Sequence, residues 1–287
     1  SREHHAPDRG RVVNDNLVVV VLASAIFYGT PQLLAALGEL LAERSGVLNL
    51  GVEGMMLMGA VSAAWGAQHV PGPGWWVVCA ALVIGMVAST LTALVHAFLV
   101  ISLRVGQIVS GLAITILVGA AGFSSYLANV WHIAQRPAPH QLVAIDVFGL
   151  ADLPVLGPLL FHHNALTYTS WALVAVMWWY LFRTRPGLHV RAVGENPAAA
   201  DALGVNVNGY RYVHTLLGGA LAGLGGGFFS LAIVPLWADG LTGGRGWIAL
   251  ALVIFGFWRP ELVLIGAYLF GGLTSLGLTL QARGVDV

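Results

Sequence analysis

Glu43-Arg44-Ser45-Gly46-Val47-Leu48-Asn49-Leu50-Gly51-Val52-Glu53-Gly54 is the stretch on which the fold turns. It sets Gly46, Gly51 and Gly54, with the polar Asn49 and Glu53, at the head of an otherwise apolar run. Glycine at that density weakens a helix, and a carboxylate inside an apolar segment is costly unless it faces protein or water. The stretch therefore reads as a broken helix start. Two roles fit it. It can line a polar cavity, as broken helices near the membrane midplane do, or it can be a structural knot in which Asn49 and Glu53 satisfy backbone groups freed by the break. Both roles need the same residue types, and the sequence leaves them level.

Outward from this joint the chain is apolar in both directions. About 20 apolar residues cross the hydrocarbon of a bilayer, and candidate spans by that ruler are Leu17–Leu41, Val47–Ala67, Trp75–Ser102, Ile108–Val130, Ala165–Phe182, Tyr212–Leu236, Trp247–Trp258 and Leu262–Leu280. The expected fold is all-α: a polytopic membrane protein of about eight segments, with a broken second helix. The short seventh segment crosses only if Leu241–Gly246 joins it, and otherwise reads as re-entrant. Composition agrees, since 57% of the 287 residues are hydrophobic and 9% charged, against roughly 25% charged in a soluble domain. A surface so poor in charge needs lipid as its main solvent. Arg9 and Arg11 ahead of Leu17–Tyr28, with Ala23-Ser24-Ala25 inside it, look like a signal peptide. The apolar pattern runs on to Leu41, longer than a signal core, so a first membrane helix is the better reading.

The formal charge is zero, so nothing points to nucleic acid, and all thirteen basic residues are Arg. If the loops alternate sides, one side takes Arg44, Arg104, Arg183, Arg185, Arg191, Arg211 and Arg259, and the other only Arg136 and Arg245. The arginine-rich side should be cytoplasmic. The N-terminus then lies outside, where Arg2, Arg9 and Arg11 run against the rule. The loop 131–163, with Pro137, Pro139, Pro154 and Pro158, becomes an external cap. The cytoplasmic loop 183–211 is the most polar internal stretch. Within it Asn196 is an N-cap and Pro197 a first helical residue, opening a short helix that ends at Gly204. Such a helix on the membrane face serves equally as a docking element or as a solvated connector.

Gly219, Gly223 and Gly227 recur every fourth residue, a spacing that lets membrane helices approach closely. Packing is favoured over ligand contact, because glycine offers only backbone. Gln107, Ser110 and Thr115 in the fourth span can hydrogen-bond a polar solute or, more commonly, neighbouring helices. The ten histidines are scattered: His4-His5 and His162-His163 are adjacent pairs rather than helical i, i+4 ligand pairs, so no metal site is expected. His96, embedded in the third span, reads as a satisfied helix–helix contact. With Cys79 as the single cysteine, an internal disulfide is excluded. No GK[ST] phosphate loop and no Gly-x-Ser-x-Gly elbow occurs, so nothing supports an enzyme.

Pro31 to Ala60, including Glu-Arg-Ser-Gly-Val-Leu-Asn-Leu-Gly-Val-Glu-Gly, resembles the permease subunits of bacterial ABC importers for nucleosides and simple sugars. So do Gln107-Ile108-Val109-Ser110-Gly111, Ala192-Val193-Gly194-Glu195-Asn196-Pro197-Ala198-Ala199-Ala200 and Gly244-Arg245-Gly246-Trp247. The nucleoside branch is the nearest; the wider family takes ribose, galactose and branched-chain amino acids. The resemblance implies one transmembrane permease domain over residues 1–287, in the plasma (inner) membrane. It implies that Glu195, Asn196, Pro197, Ala199, Ala200 and Gly204 belong to a coupling helix seated on an ATP-binding subunit. Asn49 and Glu53, with Gln107 and Ser110, would border the translocation path. The implied partners are that ATP-binding cassette subunit, a second, unlike permease, a lipid-anchored binding protein and membrane lipid. ATP and Mg would sit on the partner subunits, and no cofactor on this chain. The family also carries an apolar segment beyond the point where this chain reaches Val287, and more often shows Asn at Gly106-Gln107 and Thr115. Rival readings are a sugar or branched-chain amino acid permease of the same fold, a stand-alone proton-coupled transporter using Glu53, and, more weakly, a channel or structural membrane subunit.

Overall fold

The quoted joint separates two helices with unlike surroundings, as a computed structural model describing residues 17–119, 122–147 and 149–282 makes plain. The tail with Arg2, Arg9, Arg11 and His4-His5, and the end at Val287, lie outside the described residues. Helix α1 (Leu17–Arg44) contains Pro31, which removes one rung of its hydrogen-bond ladder. Helix α2 (Val52–His69) is buried along nearly its whole length; a helix apolar all round has protein on every side. Helix α3 (Gly74–Ala97) runs back to the Arg44 end of the bundle and finishes in a π-helical turn, Phe98–Ser102. Helices α4 (Gln107–Val118) and α5 (Phe123–Val130) rise again.

The stretch 131–163 closes the opposite end. It carries an antiparallel ribbon, β1 (Ala144–Asp146) against β2 (His162–Asn164), with Ile145 opposite His163. Asn164 then caps α6 (Ala165–Arg183) by accepting the Thr167 N–H. Two short helices follow at the Arg44 end, α7 (Arg185–Glu195) and α8 (Pro197–Ala202). Helix α9 (Val207–Phe228) crosses and ends in a second π-helical turn, Phe229–Ile233. Helices α10 (Arg245–Phe255) and α11 (Pro260–Ala282) complete the bundle.

Among the described residues, six stretches are long and apolar enough to cross a membrane: Val18–Arg44, Gly74–Ser102, Gln107–Val130, Ala165–Arg183, Val207–Ile233 and Pro260–Gln281. The second and seventh of the segments expected from sequence differ in kind. Helix α2 is an interior helix whose solvent is protein. Helix α10, with 11 residues, covers only about 17 Å at 1.5 Å per residue, against a hydrocarbon layer of roughly 30 Å.

The centre is a quartet of α1, α2, α3 and α9 joined backbone to backbone. A Cβ on Gly38 would meet the Gly218 carbonyl oxygen at 2.5 Å, one on Gly59 the Gly223 Cα at 2.5 Å, and one on Gly85 the Gly59 carbonyl oxygen at 2.7 Å. Of the four-spaced stripe, Gly219 and Gly223 face Ala93 and Ser89 of α3, and Gly227 faces Leu82 and Ala63. Gly226, off that stripe, is the tightest: a Cβ there would overlap the Met56 carbonyl oxygen of α2. Small residues here let dispersion contacts form between main chains. Ser89 adds a hydrogen bond across the seam, donating to the Gly219 carbonyl at 2.6 Å.

Candidate functional site

Residues 45–51 carry backbone donors and acceptors that no helix satisfies, and side chains from α1, α3, α4 and α9 reach them. From α4, Gln107 accepts the Leu48 N–H through Oε1 at 2.7 Å and donates through Nε2 to the Gly46 carbonyl at 3.2 Å. Thr115, two turns on, donates to the Leu50 carbonyl at 3.0 Å. From α3, the buried His96 lies 3.3 Å from the Leu48 carbonyl through Nε2 and 3.0 Å from Ser110 Oγ through Nδ1. A carbonyl only accepts, so Nε2 bears the proton and Nδ1 takes the Ser110 hydroxyl hydrogen. From α1, Glu39 accepts the Asn49 N–H at 2.9 Å. Asn49 turns its own Oδ1 onto the Gly51 N–H at 3.1 Å and its Nδ2 onto Met55 Sδ at 3.2 Å. Asn49, Gln107 and Ser110 are thus brought into one network, and Glu39, His96 and Thr115 complete it. Buried main-chain polar groups have to be paired, and here side chains pair them.

Glu53 is engaged elsewhere. Its Oε1 accepts from Thr242 Oγ1 at 2.6 Å and from the Gly244 N–H at 2.9 Å, and its Oε2 accepts the Gly246 N–H at 2.6 Å. Those amides are the first of α10, so Glu53 is the N-terminal cap of a helix nearly two hundred residues away. A carboxylate at the positive end of a helix dipole is the favoured arrangement. Gly246 must be glycine: a Cβ would lie 2.6 Å from the Glu53 Cα.

The segment 234–244 between α9 and α10 is not helical. Its first half is tied to the 131–163 stretch: Gln135 N–H donates to the Trp237 carbonyl at 3.0 Å and Ala138 N–H to the Pro235 carbonyl at 2.7 Å. Its second half reaches Glu53 through Thr242. Between them Asp239, which is exposed, accepts from Ser125 Oγ of α5 at 2.6 Å. The sequence reading passed over Asp239, Thr242 and Glu39. The available signal was the one used for Glu53, a carboxylate in an apolar stretch.

At the Arg44 end, Asn196 caps α8 by accepting the Ala199 N–H at 3.0 Å, and Gly204 follows at a φ of 81°, the left-handed stop. Ala200 faces inward, while Glu195, Asn196, Ala199 and Gly204 are exposed and Leu203 is 85% exposed beside them. Helix α7, which the sequence reading left as loop, lies between α8 and the joint. Gly194 of α7 sits against the Arg44 carbonyl too closely for a side chain, and Arg211 Nε donates to the Ser45 carbonyl at 3.3 Å. Arg44 donates to the Trp258 carbonyl at 3.0 Å, and the Trp258 indole to Glu43.

At the opposite end, burial pushes the His163 imidazole below its ordinary pKa. The Leu159 carbonyl, 2.9 Å from its Nε2, resists that shift, and neighbouring His162 adds to it. His162 itself is exposed and meets Asp146 at 2.6 Å. Among the described residues no three His, Cys, Asp or Glu side chains gather as a metal site requires.

The family described as branched-chain amino acid transport system / permease component matches residues 21–283. A provisionally named glucose ABC transporter permease protein, TsgC13 of Haloferax volcanii, is 41% identical over 91% of this chain and 78% of its own length. The guanosine ABC transporter permease protein NupQ of Bacillus subtilis is 36% identical over 91% of this chain and 83% of its own. The nucleoside ABC transporter permease protein NupC of Lactococcus lactis is 35% identical, with coverage of 92% and 83%. No solved structure matches the chain.

Proposed function

This chain belongs to the branched-chain amino acid transport system permease component family, as a multi-pass plasma-membrane permease subunit of an ABC importer and not an enzyme, and we propose that the solute it passes is a nucleoside. The observation that carries the choice of solute is likeness over nearly the whole chain to the guanosine and nucleoside permeases. A simple sugar is the second reading, favoured by the 41% identity to the glucose-named protein. Both solutes present a hydroxylated sugar ring.

The family works with an ATP-hydrolysing subunit. In our reading the Arg44 end is cytoplasmic, residues 131–163 are external, and residues 183–211 form the coupling loop. Two findings support this: Arg44, Arg104, Arg183, Arg185, Arg191, Arg211 and Arg259 gather at one end of the bundle, and α8 is exposed there with Leu203 as a protruding apolar knob. ATP and Mg bind the partner subunit, in whose surface α8 sits. A second, unlike permease completes the path; the occurrence of both NupQ and NupP in Bacillus subtilis supports it, since NupP is itself 28% identical to this chain. A lipid-anchored binding protein delivers solute at the far end.

Movement of α8 reaches the joint by packed contacts alone. Helix α7 is welded to the end of α1 at Gly194 and Arg44, and the joint begins at the next residue. The joint network of Asn49, Gln107 and Ser110 then transmits displacement to α4, and Glu53 transmits it to α10. These four residues border the path by holding its wall in shape. Close packing resists continuous deformation, so such a chain of contacts switches between discrete arrangements.

The test is uptake by the whole importer, with its partner subunits, in liposomes. Labelled guanosine, glucose and leucine are offered separately, with and without internal ATP. ATP-dependent guanosine uptake is expected. Glucose uptake without guanosine uptake would move the assignment to sugars, and uptake driven by a proton gradient without ATP would defeat the ABC mechanism.

A further inference from the structure

An acidic side chain within the hydrocarbon layer is costly unless it faces water or protein, which makes its exposure informative. The neighbours of Asp239 lie against α2, which is buried along nearly its whole length. Three residues further on, at most about 10 Å along the chain, Thr242 bonds to Glu53 at the foot of α2. Two residues before it, the fully buried Trp237 belongs to the cluster that holds Leu57, Met58 and Val61 of α2. Even so, Asp239 is exposed. One carboxylate oxygen accepts from Ser125 at 2.6 Å, and among the described residues the other accepts no hydrogen bond.

The neighbouring surface has a matching character. On α5, Asn129 stands one helical turn beyond Ser125 and is exposed, and Tyr126, next to Ser125, is 62% exposed. The Tyr126 ring lies alongside that of Phe123, centroids 6.3 Å apart and planes within 20°. A carboxylate acceptor therefore meets α5 at Ser125, and α5 exposes an amide one turn beyond that contact and an aromatic face about 100° round the helix. The non-helical segment that carries the carboxylate is admissible inside a membrane only in protein or beside a water-filled cavity.

We propose that Asp239, with Asn129 and Tyr126, is a solute-contact site on the wall of the translocation path, and that it recognises the vicinal hydroxyl pair of a sugar ring. The free carboxylate oxygen suits such a pair because its two lone pairs can accept from both hydroxyls. The aromatic ring covers the apolar face of the solute. Ser125 orients the carboxylate through one oxygen and leaves the other for solute. The assignment rests on reading the chain as a solute-passing permease, and it applies to a nucleoside and to a free sugar alike.

The experiment compares initial uptake rates at saturating solute in liposomes holding the complete importer, wild type and D239N. Guanosine, 2′,3′-dideoxyguanosine and glucose are the probes. Loss of a hydrogen bond to a charged group corresponds to about tenfold or more. D239N should therefore slow the diol-bearing solute about tenfold. Wild type should carry the dideoxy compound slowly, and D239N should carry it no more slowly still. D239E, which keeps the carboxylate, should recover part of the rate. Three outcomes overturn the site: D239N equal to wild type, equal slowing of guanosine and its dideoxy analogue, or failure of this isosteric variant to assemble, which would assign Asp239 to the scaffold. A wild-type importer that carries none of these solutes would defeat the functional reading instead. Guanosine uptake without glucose uptake, or the reverse, tells which source of the diol is used.

Discussion

Glu53 receives three donors from the head of α10, which makes its charge structural before it is anything else. In E53Q one donor faces an amide NH₂ rather than an oxygen. The expected cost is about 1.5–3 kcal/mol, that of a hydrogen bond to a charged group. A lowered thermal midpoint in detergent, with ATP-driven uptake retained at a reduced rate, is the predicted result; a proton-coupled carrier would instead lose all coupled uptake. His163 gives a pH dependence of known sign. Its folded pKa lies below its unfolded value of roughly 6.5, so the unfolded chain gains its proton first on acidification. Stability should be full above that value and decline as pH falls towards the folded pKa. H163Q should flatten this slope, as followed by thermal unfolding across pH 7.5 to 5 (about the range in which histidine titrates). Much of this was legible residue by residue: Glu53 stood out as a carboxylate in an apolar run. Its partner Thr242 did not, because nothing local joins positions so far apart in the chain.

Helices explain their glycines by what they touch. Gly226→Ala would drive a methyl into the Met56 carbonyl of α2, where backbone cannot yield. Overpacking of this kind costs about 1–3 kcal/mol or more. Gly277→Ala in α11 meets nothing within 4 Å and should be neutral or slightly stabilising by helix propensity. Parallel measurement of yield and unfolding temperature checks the pair. The four-residue spacing of Gly219, Gly223 and Gly227 was visible in sequence, whereas the tighter Gly226 was hidden, since a stripe does not reveal which rotation of the helix meets which neighbour. Helix α8 was legible from Asn196-Pro197 and Gly204, the ordinary signs of a capped short helix. Helix α7 was not, because its charges look like those of a loop. For the coupling role, Leu203→Asp places a charge on the exposed knob while leaving the Asn196 cap intact. It should cut ATP-driven uptake severalfold without altering the thermal midpoint of the isolated permease; unchanged uptake would remove Leu203 from the coupling surface.

At the scale of the molecule, orientation is testable because Cys79 is the single cysteine. In a C79S background, Asp201→Cys on α8 and Val143→Cys near β1, both at exposed positions, mark the two ends. A membrane-impermeant maleimide on intact cells should label position 143 at once and position 201 only after the membrane is opened. The opposite pattern would invert the topology. The all-α character and its membrane setting were legible from composition and run lengths, which report the solvent directly. The distinction between a helix in lipid and one in protein was not, since α2 and α3 are both apolar and only packing separates them. That packing has a mechanical consequence. Where α1, α2, α3 and α9 touch main chain to main chain, no side chain can change rotamer to let one slip past another. The quartet is a stator. Whatever swings as solute passes must be hung on its rim, and α4, fastened by hydrogen bonds to the joint, and α10, fastened by hydrogen bonds to Glu53, are the moving vanes.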